Sequence, residues 1–135
     1  MSAYTAVLLY AVWTLLLPIG YASIRVPLIA GHKKRADHWE RGQPIDDPAF
    51  LVRARNAHSN CAENFPVFAA VVIVAGLLGK IAIADAVAAY VFYARIAQGL
   101  SHLAGTTLPF VALRGCFYFI QVALILTMIW RLVLG

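Results

Sequence analysis

Four stretches of this chain are each long enough and apolar enough to cross a bilayer as a helix, which takes about 20 residues. They run from Ala3 to Ile29, Phe50 to Leu78, Ile81 to Ala104 and Pro109 to Leu134. The joints "GLLGK" (Gly76 to Lys80) and "AGTTLP" (Ala104 to Pro109) are short, so the helices they connect are antiparallel neighbours. The one long connection is Gly31 to Pro48. The pattern predicts an all-α integral membrane four-helix bundle, a single domain over residues 1–135. Residue usage agrees: 62% is hydrophobic and only 13% charged, against about a quarter charged in a soluble domain. The N-terminal apolar run has no basic segment before it and is too long for a signal peptide, so it reads as a retained helix. Cys61 and Cys116 lie in apolar segments and form no disulfide framework.

The net charge of +5 points to orientation in a membrane, not to nucleic acid. Lys33, Lys34, Arg35 and Arg41 lie in the long loop, and Arg53 and Arg55 follow it. The opposite side offers Lys80 and Arg131. Basic residues stay on the cytoplasmic side, so the loop is expected inside and both termini on the other side. Trp13, Trp39 and Trp130 suit anchors at the membrane interfaces.

All four helices then bring charge to one depth. Arg25, Arg53, Arg95 and Arg114 fall in the cytoplasmic half, whereas "VFAAVVIVAGLL" and "VALILTMIW" are nearly pure hydrocarbon. At 100° per residue, Arg53, Asn56, Asn60, Glu63 and Asn64 share one face of the second helix, and Arg95, Gln98 and His102 one face of the third. An ionisable group inside a membrane costs at least about 2.5 kcal/mol. Several at one depth argue for a shared polar pocket. One Glu cannot neutralise four arginines, so such a pocket favours an anion with several hydrogen-bonding groups. The alternatives are arginines that snorkel to headgroups, Arg55 above all, and a structural Arg95–Glu63 ion pair. A transport pathway is disfavoured because polarity stops near mid-bilayer; Asp85 and Gln121 alone do not continue it. His32, Asp37 and His38 in the loop, or His58 with Cys61, supply too few ligands for a closed zinc site, and no metal is expected.

"AHSNCAENFPVF" (Ala57 to Phe68), "YARI" (Tyr93 to Ile96) and "LRGCFYFIQ" (Leu113 to Gln121) resemble the MAPEG family, the membrane-associated proteins in eicosanoid and glutathione metabolism. The likeness is to bacterial microsomal-glutathione-transferase-like members and covers nearly the whole chain. It implies a homotrimer in a bacterial inner membrane, with glutathione as co-substrate between subunits and lipophilic molecules or lipids as second partners. Carried over by position, the glutathione-binding residues are Arg25, Arg53, His58, Asn60, Glu63, Arg95 and Gln98. Arginines would hold the two carboxylates and Glu63 the ammonium.

The family reaction needs the glutathione thiolate. Lowering a thiol pKa by two units takes about 2.7 kcal/mol of preferential stabilisation, which one guanidinium in a partly desolvated site can supply. Arg114 is the residue expected in that role, with His102 as hydrogen-bond donor or proton acceptor. Conjugation and peroxide reduction both follow from the thiolate. Three features depart from the usual pattern: Asn56 stands where active members carry Arg, His102 where many carry Tyr, and the segment from Arg95 to Arg114 is longer than in the mammalian enzymes. A non-catalytic branch resembling the five-lipoxygenase-activating protein shares the first departure, so a binding protein of the same fold is the second reading.

Overall fold

The computed structural model describes residues 1–35 and 47–135, and among them every regular element is an α-helix. Helix α1 spans Ala3–Ala30, α2 Ala49–Leu77, α3 Ile81–Asp85, α4 Ala88–Ala104 and α5 Leu108–Leu134. Helices α3 and α4 form one span, so four spans are long and apolar enough to cross a membrane. Their ends fall within one residue of those the apolar runs predict. Trp39, Arg41, Asp37 and His38 lie outside the described residues.

Local chemistry sets most of the boundaries. Ser2 caps α1, its Oγ accepting from the Thr5 amide at 3.2 Å. The turn after α2 closes through Lys80 N–H to Ala75 O at 2.8 Å. Gly79 sits there at φ 67°, where a side chain would be strained. Pro109 occupies the first turn of α5, where its missing N–H removes no helical bond. Pro18 and Pro66 lie inside continuous helices, a placement membrane helices tolerate.

The third span differs from expectation. The sequence predicts one helix from Ile81 to Ala104; the structure interrupts it at Ala86 and Val87. The Val87 amide bonds three residues back, to Ala84 O at 3.1 Å, and Val87 has φ −128°. No proline or glycine lies there, so the cause is tertiary. The Asp85 carboxylate accepts from the Ala3 amide at 2.6 Å, filling one of the donors that a helix start leaves open.

Small side chains let the helices approach closely, as in membrane bundles. Ala3 and Ala6 of α1, Ala57 and Ala75 of α2, Ala84 of α3 and Ala88 of α4 are all buried. Phe68, Val72, Val91 and Met128 fill the space between. Leu8, Leu15, Leu16, Ile19, Leu126 and Val133 are exposed, an outward apolar surface suited to lipid. Trp13 is not an interface anchor. Its ring lies on α4 at Gly99, where a Cβ would stand 2.8 Å from Cζ2, and its Nε1 is buried.

Candidate functional site

Helix α4 carries Arg95, Gln98 and His102 at spacings of three and four, which keeps them on one side. Each meets a partner from a neighbouring helix. Gln121 Nε2 donates to Gln98 Oε1 at 2.9 Å and to Phe117 O at 2.8 Å. Arg114 Nη1 donates to His102 Nδ1 at 3.2 Å. Arg95 Nη1 donates to Asn60 Oδ1 at 2.5 Å. Arg114 and Gln121 are seven residues apart, two turns of α5, so one stripe of α5 faces the α4 row.

The Arg114–His102 contact fixes a tautomer by elimination. A guanidinium only donates, so Nδ1 must accept. In the neutral imidazole the proton then sits on Nε2, which becomes a donor directed away from Arg114. Both side chains are partly exposed.

Arg95 is buried far more deeply, with 1% of its surface exposed. Its guanidinium carbon lies 5.2 Å from the Tyr10 ring centroid, a cation–π contact. Nη1 is committed to Asn60, whereas Nε and Nη2 make no hydrogen bond of normal geometry, with the Tyr10 hydroxyl and the Cys61 sulfur as their nearby weak acceptors. These two nitrogens form one edge of the planar group, the edge that carboxylates occupy with two parallel hydrogen bonds. Tyr10 Oη and Trp13 Nε1 are also buried without partners, and buried Cys61 lies beside Arg95 and Trp13. Around Arg95 the donor-only groups, its own Nε and Nη2 and Trp13 Nε1, thus meet only weak acceptors, the Tyr10 hydroxyl and the Cys61 sulfur.

The other predicted residues lie toward the α1–α2 connection. His58 Nδ1 is 3.1 Å from Tyr21 Oη. Arg25 stacks over the Tyr21 ring at 5.0 Å and forms an ion pair with Asp47. Arg53 Nε donates to Leu103 O at 2.9 Å, tying α2 to the end of α4. Asn64 donates to its own helix, at Asn60 O.

One expectation and one alternative need correction. The four arginines do not converge on one pocket within this chain: Arg25 is matched by an acid, Arg53 by a backbone carbonyl, Arg95 by an amide and Arg114 by an imidazole. Nor do Arg95 and Glu63 form an ion pair. Glu63 is exposed on the outside of α2, as are Asn56 and Ser59. The broad polar face of α2 is thus divided, with Asn60 turned inward and Glu63 outward.

Tyr10, Tyr21 and Asp47 join the predicted residues unannounced, and Gln121 enters as a partner of Gln98. Gln121 was legible, seven positions after Arg114, and so was Tyr21, four before Arg25. Nothing in the run "AVLLYAVWTLLL" marks Tyr10 as the lid on a buried arginine. Among the described residues no three His, Cys, Asp or Glu side chains gather as a metal site.

A search of curated proteins finds no match. The family comparison does: residues 3–134 match the description "MAPEG family". That stretch takes in all four spans and every pair described above, and the chain accordingly belongs to the MAPEG family.

Proposed function

We propose that this protein is a membrane-bound glutathione transferase, with peroxidase chemistry open to the same thiolate, acting on lipophilic electrophiles. The observation that carries the reading is the Arg114–His102 pair. It joins a permanent cation to an imidazole whose outward nitrogen donates. A thiolate placed there gains charge stabilisation from Arg114 and a hydrogen bond from His102 Nε2, so His102 acts as donor rather than base and the thiol proton passes to solvent water. The sulfur lone pair then attacks the electrophilic carbon, a C–S bond forms, and the displaced pair leaves on the departing group or is protonated by water.

The remaining predicted residues suit a dianionic tripeptide. Arg25, Arg53, His58, Asn60, Arg95 and Gln98 supply donors, and Glu63 supplies the acceptor for an ammonium. The open edge of Arg95 has carboxylate geometry, but its burial means that it acts in this state chiefly by aiming Asn60. Glu63, exposed on the outside of α2, would be costly against lipid. Its position supports a homotrimer in which a neighbouring subunit completes the site. The basic loop supports a cytoplasmic site and termini on the far side.

The test is stopped-flow measurement of thiolate absorbance when glutathione meets the detergent-solubilised protein at neutral pH. Thiolate formation with a second-order binding phase is the expected result. Glutathione binding with no thiolate would favour the non-catalytic reading, for which Asn56, in place of the usual arginine, is the specific observation. Native mass spectrometry showing only monomers in mild detergent would remove the shared site.

A further inference from the structure

Gln98 and Gln121 meet deep in the bundle, 2% and 3% exposed, in a contact that the thiolate chemistry of Arg114 and His102 does not use. A glutamine amide has two unlike ends, an oxygen that accepts and a nitrogen that donates. A backbone carbonyl decides which end lies where. Phe117 O only accepts, so the Gln121 atom 2.8 Å from it is the nitrogen. That nitrogen has a second N–H, which reaches the Gln98 side chain at 2.9 Å. The atom it reaches there is therefore the Gln98 oxygen. The Gln98 nitrogen is left with both N–H groups uncommitted: among the described residues, none accepts from it.

The next residue along the row is arranged in the same way. His102 lies four positions further along α4, about 6 Å by helical rise, and its Nδ1 accepts from Arg114. Arg114 and Gln121, on one stripe of α5, thus occupy the acceptor atoms of His102 and Gln98. What the two residues have left to offer a ligand is N–H groups. We propose that Gln121 is a positioning residue that holds Gln98 as a hydrogen-bond donor, so that this part of the site takes only acceptor atoms, here a carbonyl or carboxylate oxygen of glutathione. Naming glutathione as the ligand rests on the function proposed above; the amide orientation rests on Phe117 O alone. Packing between α4 and α5 does not account for the pair, because an apolar residue of equal volume packs as well, and a buried amide costs free energy wherever its groups go unbonded.

The experiment is a double-mutant cycle read by calorimetry with reduced glutathione in detergent. Gln121→Met should raise the Kd by about three- to tenfold, the worth of one oriented hydrogen bond. In a Gln98→Met background the same change should have no further effect, because the group it orients is gone. Thiolate absorbance at saturating glutathione should stay unchanged in Gln121→Met, since Arg114 and His102 are intact, so KM rises and kcat holds. Equal loss of affinity in both backgrounds, or a fall in kcat matching the loss, overturns the positioning role while leaving the glutathione reading in place. No glutathione binding by the unaltered protein removes that reading, and the ligand named here with it. A measurement without glutathione checks the orientation by itself. With isotope-labelled glutamine, the Gln121 side-chain N–H groups, both bonded, should exchange with deuterium slowly and the Gln98 pair faster. Equal protection of the two pairs overturns the proposal without relying on affinity.

Discussion

A guanidinium that finds only half its partners is an energetic liability, and Arg95 is one. Two of its nitrogens are buried with no hydrogen bond of normal geometry, facing only the Tyr10 hydroxyl and the Cys61 sulfur. Replacing a whole buried ion pair by apolar side chains of similar volume is often neutral or stabilising by about 1–4 kcal/mol, and Arg95, whose partner Asn60 is uncharged, likewise leaves no lone charge behind when it is replaced. Arg95→Met should therefore match or exceed the unaltered protein in melting temperature without glutathione, yet bind glutathione more weakly because Asn60 loses its anchor. A large fall in melting temperature would show that the open edge is satisfied in the folded protein. Arg114 and His102 separate binding from chemistry. Arg114→Ala should raise the apparent pKa of bound glutathione thiol by one unit or more and lower kcat by roughly ten- to a thousandfold. At low pH, where the thiol is neutral, affinity should change little. His102→Gln keeps an N–H donor and should retain most activity, whereas His102→Phe should not. Equal loss in both His102 variants would instead make the imidazole a base.

The helices meet at two places where a single atom decides the spacing. A Cβ on Gly99 would lie 2.8 Å from Trp13 Cζ2 and 3.0 Å from Nε1, so Gly99→Ala forces the Trp13 ring, or the helix that carries it, to shift. Overpacking of this kind costs about 1–3 kcal/mol; thermal unfolding should show the loss, and Trp13→Leu should relieve it. At the other end, Asp85→Ala removes the acceptor of the Ala3 amide. By analogy with helix caps, about 0.5–2 kcal/mol should be lost, and amide exchange in the first turn of α1 should accelerate. The four spans themselves were plain in the sequence, because uninterrupted apolar runs bounded by Gly, Pro and charge leave few other readings. The interruption at Ala86 and Val87 was not. Alanine and valine carry no breaking signal, and the Asp85 contact that accompanies the break joins residues 82 positions apart.

Across the bundle, the side facing the long connection is polar and the other is hydrocarbon. The sequence showed that division through the depths of Arg25, Arg53, Arg95 and Arg114. It did not show how the charges are shared out, since Asp47 and Leu103 O become partners only through packing between helices. Orientation is checked directly. With Cys61→Ala and Cys116→Ala as background, Lys33→Cys should react with an impermeant thiol reagent only in inside-out vesicles, and Lys80→Cys only in right-side-out ones. The reverse labelling would invert the bundle and put the proposed glutathione site on the wrong side for a cytosolic co-substrate.

The divided third span has one more implication. Ten positions separate Asp85 from Arg95, and in an unbroken helix of 100° per residue their azimuths would be locked about 80° apart. Any rotation that aimed one at its target would swing the other. The interruption decouples them: Ile81–Asp85 takes the phase that Ala3 requires, and Ala88–Ala104 the phase that Asn60 requires. The joint works as a swivel coupling. One alanine inserted between Ala86 and Val87 should then be absorbed, with glutathione affinity nearly intact. The same alanine inserted between Val91 and Phe92 would turn Arg95 by about 100° relative to the buried Ala88 and Val91 of its own helix, which the joint cannot absorb, and affinity measured by calorimetry should collapse.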